Sequence, residues 1–434
     1  MKQSIIARAD HAISRANISE AALKVLYRLH EAGYQSFLVG GAVRDLLLGR
    51  EPKDFDVGTN AHPEEVRKLF RNSRLIGRRF RLAHVRYRGE IIEVATFRAR
   101  HEPDSAKEPA GLLNDEGRIL RDNVYGSIEE DVMRRDFTVN ALYYDIKDYS
   151  VRDFVGGLQD LEAGVLRLIG DPEQRFREDP VRMIRAVRFA AKLGFIIEPA
   201  VEEAIFAHNH LMEDVPAARL FDEVLKLFLG RCALTTFEKL RHYGLFAPLF
   251  PQTEQALATQ ENEFPLMLVS RALENTDIRL NAGKHVTPAF LFAALLWEPV
   301  RLSSQALQEK GASPIEALQI AGNQVTGKQV KSISIPKRFS FPMREIWTLQ
   351  AKLERQYGRV PYKTLTHPRF RAAYDFLLLR SECGEASQEL ADWWTTFQEA
   401  SAEEQEQMTK PPQSDKKRSK RRRRKKKPAS SADD

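Results

Sequence analysis

Two spacings of apolar residues divide the chain into a first part with strands and helices and a later part that is almost entirely helical. Between residues 19 and 32 apolar side chains recur three or four positions apart, as on one helix face, with Ser19 as a candidate N-cap. Short apolar runs bounded by turn residues predict strands at residues 37–39, 81–87, 90–98, 142–144 and 151–155. Residues 81–87 and 90–98 have the spacing of a hairpin.

From Pro172 to about Ala400 the periodicity predicts helices, and no repeat of fixed period accompanies them. From Ser401 the composition becomes polar and then strongly basic, which predicts disorder. The predicted fold class is therefore α+β. Four segments are expected: a mixed α/β head at 1–165, a helical neck at 166–230, a helical body at 231–400 and a disordered basic tail at 401–434.

Charge is distributed unevenly along the 434 residues. The formal net charge is +7, but residues 416–427 contain eleven basic residues, so the preceding chain is close to neutral. Two cysteines, Cys232 and Cys383, exclude a Cys-rich zinc cluster and a disulfide framework, which is typical of a reducing cytoplasm. Charged residues interrupt the apolar runs near the N-terminus, and no stretch reaches the roughly 20 apolar residues of a membrane span. We expect neither a secretory signal nor a transmembrane helix.

The first candidate site is the pair Gly40-Gly41. It follows the apolar run 37–39 and precedes a good helix-forming segment, residues 42–48, so the pattern predicts strand, tight turn and helix. Glycines let backbone N–H groups approach a ligand closely, and a helix N-terminus favours phosphate. Glycine pairs at such turns are common, so this feature alone is weak evidence for a ligand.

The second candidate site is the pair Asp54 and Asp56, separated by Phe55. If residues 53–57 form a strand, both carboxylates point to one face while Phe55 and Val57 point to the core. Two such close carboxylates repel each other unless a divalent cation lies between them. A solvated turn is the simpler interpretation of Asp-Phe-Asp alone, but together with the glycine pair it predicts a phosphate site beside magnesium.

A glycine pair that leads through a short helix to Asp-x-Asp resembles the pattern of the nucleotidyltransferase superfamily. The resemblance implies nucleotidyl transfer, in which two metal ions on acidic side chains activate the attacking hydroxyl and stabilise the leaving pyrophosphate. A third carboxylate usually completes such a site, and both Glu93 and Asp136 are candidates that spacing alone does not separate. Arginines provide planar, bidentate contacts to triphosphate oxygens. Those suited to this role are Arg44, Arg134 and Arg135.

The order of motifs resembles the nucleotidyltransferase class that includes tRNA CCA-adding enzymes and bacterial poly(A) polymerases. The series covers roughly residues 20–230 and comprises Gly40-Gly41 with Arg44-Asp45, Asp54-Phe55-Asp56, Arg134-Arg135-Asp136-Phe137-Thr138 with Asn140-Ala141, residues 153–157, and Glu178-Asp179 with Arg182 and Arg185. The resemblance implies a nucleotidyltransferase head in which Asp54, Asp56 and Asp136 are catalytic. It further implies nucleotide contacts from Gly40, Gly41, Arg44, Asp45, Arg135, Asp179, Arg182 and Arg185. In that scheme Asp136 and its arginines contact ribose and phosphates, and Asp179 with Arg182 contacts the base edge. The neck is then expected to recognise the nucleotide base, and the helical body is expected to guide RNA.

Two further features bear on which member of the class this is. Residues 75–85 resemble a signature associated with bacterial poly(A) polymerases, with Arg78 and Arg79 as candidate RNA contacts; a basic loop before a strand is the simpler interpretation. A basic tail suits a polymerase that extends arbitrary RNA ends, because phosphate attraction does not depend on sequence. The candidate tail contacts are Lys416, Lys417, Arg418, Arg421, Arg422, Arg423 and Arg424. Anchoring to ribosomes, anionic membranes or another protein would require a similar tail.

The resemblance implies template-independent addition of AMP from ATP to RNA 3′ ends, with two Mg²⁺ ions or alternatively Mn²⁺. The alternative within the class is CCA addition to tRNA with CTP and ATP. An RNA-binding protein without catalytic activity is the alternative from another class. The expected partners are RNA, ATP and RNA-decay or RNA-chaperone proteins, and the expected state is a monomer in the cytoplasm.

Deletion of residues 416–434 tests the role of the tail. We expect weaker RNA binding and a shallower salt dependence but retained chemistry, because cations that contact phosphates act mainly by releasing counterions. Fluorescence anisotropy of labelled RNA at several salt concentrations measures both quantities. Unchanged affinity at low salt would show that the tail does not bind RNA.

Overall fold

The computed structural model describes residues 3–77, 81–99, 124–258, 260–261, 264–265 and 267–411. The predicted RNA contacts at Arg78 and Arg79, and those from Lys416 to Arg424, lie outside the described residues. The contact pattern divides the chain into two compact units, residues 1–344 and a second unit that begins at Glu345. This division falls inside the predicted body, 231–400.

An eight-stranded mixed sheet forms the centre of the head. Its strands are β1 (Ser4–Ile6), β2 (Ser36–Val39), β3 (Asp56–Thr59), β4 (Ser73–Ile76), β5 (Leu82–Tyr87), β6 (Glu90–Thr96), β7 (Leu142–Asp145) and β8 (Val151–Asp153). They lie in the order β1-β8-β7-β2-β3-β6-β5-β4. Neighbouring strands are antiparallel, except β3 and β6, which are parallel. The predicted mixed α/β head is confirmed.

The hairpin between β5 and β6 forms where the alternating pattern predicts it. Arg88 and Gly89 connect the strands, and both have positive φ, 47° and 93°. Positive φ at both central residues characterises the type I′ turn, whose twist matches that of the adjoining strands. The turn fixes the register that places His84 opposite Glu93.

The prediction that residues 53–57 form a strand is wrong at its start. Strand β3 begins at Asp56, which pairs with Val39 at the end of β2. After Val39 the chain leaves the sheet at Gly40, whose φ of 72° turns the backbone away, so β2 provides no partner for Asp54. Asp54 therefore lies in the segment before the strand, where it is exposed, while Phe55 is buried.

Helices cover the sheet and form most of the rest of the first unit. Those of the head are α1 (Glu20–Glu31), α2 (Gly41–Leu47), α3 (Pro63–Leu69), α4 (Ile128–Arg134) and α5 (Gly157–Ala163). Ser19 caps α1 by accepting a hydrogen bond from the Ala22 N–H at 3.1 Å, as predicted. The one-turn 3₁₀ helix Thr138–Asn140 lies between α4 and β7.

The helical prediction beyond Pro172 is confirmed, with short strands between some of the helices. The helices are α6 (Pro172–Glu178), α7 (Val181–Leu193), α8 (Pro199–His208), α9 (Ala217–Phe228), α10 (Ala233–His242), α11 (Phe246–Leu249), α12 (Pro251–Leu257), α13 (Leu268–Asn281), α14 (Pro288–Leu295), α15 (Trp297–Glu309), α16 (Pro314–Ser332) and α17 (Lys337–Leu353). The short strands β9 (Val165–Leu166) and β10 (Ile196–Ile197) pair in parallel, and β11 (Gln260–Glu261) and β12 (Phe264–Pro265) pair antiparallel.

The second unit has its own core, centred on Trp394 and Phe397. Its helices after α17 are α18 (Val360–Leu365), α19 (Phe370–Glu382), α20 (Gln388–Glu399) and α21 (Ala402–Met408). Helix α21 corrects the prediction that disorder begins at Ser401. Ser401 and Glu404 form a capping box at its start, in which each side chain accepts a hydrogen bond from the backbone N–H of the other residue. Polar composition alone does not reveal this local stabilisation of a helix.

No helix within the described ranges is both long and apolar enough to cross a bilayer.

Two glycine-to-alanine substitutions should change stability in opposite directions. A Cβ at Gly157, the first residue of α5, would clash with the backbone carbonyl of Thr138, whereas one at Gly327 in α16 meets nothing within 4 Å. We expect Gly157→Ala to lower the free energy of unfolding by about 1–3 kcal/mol through overpacking. Gly327→Ala should raise it by about 0.5–1 kcal/mol through helix propensity. Urea unfolding followed by circular dichroism measures both, and equal effects would contradict the close packing at Gly157.

Candidate functional site

The turn between β2 and α2 places backbone and cationic groups close together. Gly40 has φ 72° and ψ −133°, and its N–H donates to the Leu142 carbonyl at 3.3 Å. A Cβ at Gly40 would lie 3.4 Å from Nη1 of Arg135. Glycine is needed here for its positive φ, and it leaves the space beside the Arg135 guanidinium open.

Arg44, in helix α2 directly after this turn, is buried in a network of hydrogen bonds. Its Nε and Nη2 donate to Oδ1 of Asp45 at 2.8 and 2.6 Å, and its Nη1 donates to Oδ1 of Asn140 at 2.6 Å. Only 2% of Arg44 is exposed. Because its donors are used inside the fold, Arg44 supports the turn and orients Asn140, and Asp45 serves as its counter-ion.

The acidic group forms where β3 and β6 run side by side. Their parallel register places Asp56 opposite Glu93, and Asp54 lies just before β3. Burial, and then the negative charge of Glu93, raise the pKa of Asp56 to about 6; Arg135 opposes this rise and Asp54 adds to it. The charges of Glu93 and Asp54 therefore both raise the pKa of Asp56. Glu93 is the third acid that the fold brings to this place.

These residues fit a divalent cation bound together with a substrate. In the described part of the chain no group of three or more His, Cys, Asp or Glu side chains is arranged so that it could hold a metal ion. Mg²⁺ seldom needs such a group, because it is commonly held by one or two carboxylates and completes its shell with water and substrate phosphates. Close carboxylates whose repulsion raises the Asp56 pKa are the environment that such a cation stabilises.

Asp136, the other candidate for the third carboxylate, is occupied by contacts within the chain. Its Oδ2 accepts hydrogen bonds from Arg185, with the Nε contact at 3.0 Å. Its Oδ1 accepts from the Phe137 N–H at 2.8 Å and from Asn140 Nδ2 at 3.2 Å. Burial alone would raise the pKa of Asp136, but the charge and hydrogen bonds of Arg185 outweigh it and, with the other donors, lower it to about 2. Asp136 thus remains a carboxylate that joins the head to α7.

Arg135 and Arg134 precede this carboxylate and differ in their surroundings. Arg135 donates to Asp131 Oδ2 at 3.1 and 3.2 Å and to the Tyr143 hydroxyl at 2.7 Å. Burial opposes its charge, but Tyr143 and Asp131 outweigh burial, so the pKa of Arg135 is raised. Burial, followed by the charges of neighbouring arginines, lowers the pKa of Arg134 to about 10. An anion bound beside Arg134 would relieve that repulsion.

Arg175 is a positioning residue that sequence motifs did not reveal. Its Nη2 donates to the backbone carbonyls of Arg134 and Arg135 at 2.9 and 2.7 Å, and its Nη1 donates to Glu178 at 2.6 Å. Arg182 in turn donates to the Arg175 carbonyl at 2.8 Å. The segment that carries the two arginines of the head is therefore fixed to α6. A buried arginine within a polar helix start gives no distinguishing signal in the sequence.

Asp179 and Arg182, the predicted base contacts, lie at the α6–α7 junction with separate partners. Both carboxylate oxygens of Asp179 accept hydrogen bonds from Arg219 on α9, at 2.8 and 2.7 Å. Arg182 contacts Glu178 at 3.3 Å. The bidentate pair fixes the orientation of Asp179. Sequence analysis missed Arg219, because it lies 40 residues from its partner and outside any motif.

Helix α7 presents further cationic side chains toward α2. Arg188 lies over the Phe189 ring at 4.4 Å, and its buried Nε has no hydrogen-bond partner among the described residues. Lys192 is 3.8 Å from Asp45. Burial, and then the charges of neighbouring arginines, lower the pKa of Arg188, and burial also lowers that of Lys192. Together with Arg185 these residues form a cationic face, which the spacing 185, 188 and 192 would have predicted.

Three family models match the chain. Residues 36–167 match the poly A polymerase head domain. Residues 194–257 match a segment described as the probable RNA and SrmB-binding site of polymerase A. Residues 310–428 match the polymerase A arginine-rich C-terminus.

Similar proteins include poly(A) polymerases and CCA-adding enzymes. Poly(A) polymerase I of Salmonella typhimurium is 51% identical over 91% of this chain and 86% of its own length. The CCA-adding enzyme of Lactobacillus johnsonii is 35% identical over 59% of this chain and 65% of its own length. The crystal structure of the Bacillus stearothermophilus CCA-adding enzyme in complex with CTP is similar in fold, with a TM-score of 0.57, 25% identity and coverage of 87% of this chain and 81% of that one.

Removal of the Asp136 charge should weaken the connection between the head and α7. We expect Asp136→Asn to lower the free energy of unfolding by about 3 kcal/mol at neutral pH, because it leaves Arg185 without its buried counter-ion. The pKa of Asp136 is lowered in the folded state, so its contribution is complete above about pH 4 and is lost toward pH 2. The difference between variant and parent should therefore shrink with acid. Urea unfolding between pH 7 and pH 3 measures it.

The exposed Asp222→Asn is the matched control and should leave stability unchanged within about 0.5 kcal/mol. An Asp136→Asn protein as stable as this control at pH 7 would contradict the structural role of the ion pair.

Proposed function

Because the chain belongs to the poly(A) polymerase I family, we propose that it extends RNA 3′ ends with AMP from ATP, without a template and with release of pyrophosphate. The observation that carries this proposal is the match to Poly(A) polymerase I along 91% of the chain. The CCA-adding enzymes match at lower identity over a shorter part. CCA addition from CTP and ATP is the second candidate, supported by the similarity in fold to an enzyme solved with CTP.

In this proposal Asp54 and Asp56 hold two Mg²⁺ ions, or Mn²⁺ in their place, and Glu93 is the third acid. The bound ions would activate the RNA 3′ hydroxyl and stabilise the pyrophosphate that leaves. The parallel register of β3 and β6 supports Glu93 in this role, because it places Glu93 beside Asp56. Asp136 acts by holding Arg185 and Asn140 in place.

The triphosphate lies between the β2–α2 turn and the cationic face of α7. Gly40 and Gly41 leave room for its oxygens, and Arg135 provides charge at the turn. Arg188 provides a buried Nε that lacks a hydrogen-bond partner in the described chain, which an anionic oxygen would satisfy. Arg44 and Asp45 contribute indirectly to triphosphate binding, because their hydrogen bond stabilises the turn.

The adenine base is contacted by Asp179 and Arg182. A carboxylate accepts a hydrogen bond from the amino group of adenine, and a guanidinium donates to a ring nitrogen. Arg219 holds both Asp179 oxygens and so orients the acceptor toward the base. Arg175 holds this junction against the Arg134–Arg135 segment of the head by donating hydrogen bonds to two of its backbone carbonyls.

The RNA substrate is bound outside this pocket. The match of residues 194–257 to a probable RNA-binding segment supports contacts from the neck, and the basic tail and the pair Arg78 and Arg79 remain predicted contacts. We further propose that the protein works as a monomer in the cytoplasm, where RNA-decay or RNA-chaperone proteins deliver its substrates. The free cysteines Cys232 and Cys383 are compatible with that compartment.

Incorporation of each labelled nucleoside triphosphate, with magnesium, onto two primers tests the reaction. The primers are an unstructured RNA and a tRNA that lacks its terminal CCA. We expect long products from ATP alone on both, since the pocket accepts adenine and RNA binding does not depend on sequence. Asp56→Asn should reduce incorporation at least a hundredfold, because it removes a ligand of the reacting metal. Asp10→Asn, an exposed change outside the pocket, should retain activity.

If CCA were added to the tRNA alone and synthesis then stopped, the protein would be a CCA-adding enzyme, the second candidate, and the proposal of poly(A) synthesis would be wrong. Binding of RNA without incorporation of any nucleotide would show that the protein lacks the proposed activity.

A further inference from the structure

An exposed basic surface lies on α16 and α17. We define the α16–α17 surface by Lys328, Lys331, Lys337, Arg338 and Phe341, all of them exposed. None of its three lysines forms an ion pair within the described ranges. The sequence contains no acidic residue between Glu316 and Glu345, so this stretch carries positive charge alone. Solvated helix faces usually intersperse both signs of charge, which this one does not.

The segment that joins α16 to α17 is fixed to the helix that carries Arg219. The Ser334 N–H donates to the Ala217 carbonyl at 3.0 Å, at the start of α9. The Phe339 ring stacks on Phe221 of α9, with ring centroids 5.8 Å apart. Arg219 lies between these two contact points in the sequence and binds Asp179. The surface is therefore anchored beside the helix that supports the proposed base contact.

Aromatic rings accompany the charges on this surface. Half of Phe341 is exposed, and the Arg344 guanidinium lies 4.9 Å from its ring centroid. Arg338 lies 4.8 Å from the Phe339 ring. Exposed aromatic faces stack on bases of any identity, and neighbouring cations bind the phosphates between them. This combination fits single-stranded RNA.

We propose that the α16–α17 surface binds the RNA strand upstream of its 3′ end, with the lysines on phosphates and Phe341 against a base. The site lies outside residues 194–257, whose family description mentions RNA, and outside the basic tail. The proposal rests on the proposed function for the nature of the strand. It adds a further place at which the enzyme holds RNA, so it predicts that affinity depends on primer length.

The test combines the changes Lys328→Gln, Lys331→Gln and Lys337→Gln in the full chain. The slope of log K against log salt should become shallower by about 2 for an RNA of about 20 nucleotides, because each lost phosphate contact on a single strand removes about 0.7. Phe341→Ala alone should weaken binding about fivefold or more through lost stacking. A primer of about four nucleotides should be extended as well by the variants as by the parent, because the proposal assigns only upstream nucleotides to the surface. Anisotropy and incorporation measure these effects.

The combined change Lys24→Gln, Lys68→Gln and Lys147→Gln removes equal charge from the head and is the matched control. It should leave the salt slope unchanged, and melting temperatures should show that both triple variants are folded. Because anisotropy needs no catalysis, a parent protein that binds RNA but incorporates nothing would remove the proposed function while leaving this inference standing.

Three outcomes would overturn the inference. One is an unchanged affinity and salt slope for the long RNA in the α16–α17 variant. Another is an equal loss of activity on long and short primers, which would place the defect at the active site. The third is unchanged RNA binding with lost binding to vesicles of phosphatidylserine and phosphatidylcholine, which would show that the surface contacts anionic lipid.

Discussion

The structure depends on the connection between the Arg134–Asp136 segment and the helices that follow the head. Arg175 holds two backbone carbonyls of this segment, and Arg185 holds the Asp136 carboxylate. The acidic group belongs to the sheet, whereas Asp179 and Arg182 belong to the α6–α7 junction. Transfer of a nucleotide requires its base and its phosphates to be held at once. The two sets of hydrogen bonds therefore set the distance between the proposed base contacts and the proposed metal ligands.

Two arginines of α7 near this connection differ in how their charge is balanced. Arg185 faces Asp136, and its pKa is raised chiefly by that carboxylate. Arg188 lies one turn further along α7 and has a lowered pKa, because burial and Arg185 both oppose its charge. Helix α7 thus carries Arg185, whose charge is balanced by Asp136, and Arg188, whose charge an added anion would stabilise. In the proposed function the triphosphate supplies that anion, so substrate binding would balance the charge of Arg188, which has no counter-ion contact among the described residues.

Local pattern predicted the features that depend on neighbouring residues. The β5–β6 hairpin, the cap at Ser19 and the glycine turn each arise from residues close together in sequence. The choice of Glu93 as the acid beside Asp56 depends instead on β6 pairing in parallel with β3, across a long connection. Spacing does not encode that register. Asp54 was misplaced for a related reason, since its strand starts only where β2 provides a partner.

Long-range partners account for the other differences. Arg219 lies 40 residues from Asp179, and Arg175 bonds to backbone carbonyls, which any residue type offers. Neither contact leaves a pattern in a single sequence. The boundary at Ser401 was wrong because composition averages over a segment, whereas the capping box of Ser401 and Glu404 acts on one helical turn. Arg188 and Lys192 differ from these cases, because their helical spacing with Arg185 was present in the sequence.

A polymerase without a template must choose its nucleotide strictly and its RNA loosely, and the distribution of charge in this chain fits that division. In the pocket, arginines are held by named carboxylates and carbonyls, so their positions are fixed and their contacts are directional. On α16 and α17 the exposed Lys328, Lys331 and Lys337 form no ion pair within the described ranges, and in the sequence of the basic tail lysines and arginines occur in a run, so their attraction to phosphate is independent of sequence. Selectivity and RNA affinity then reside in different residues, and either can change without loss of the other.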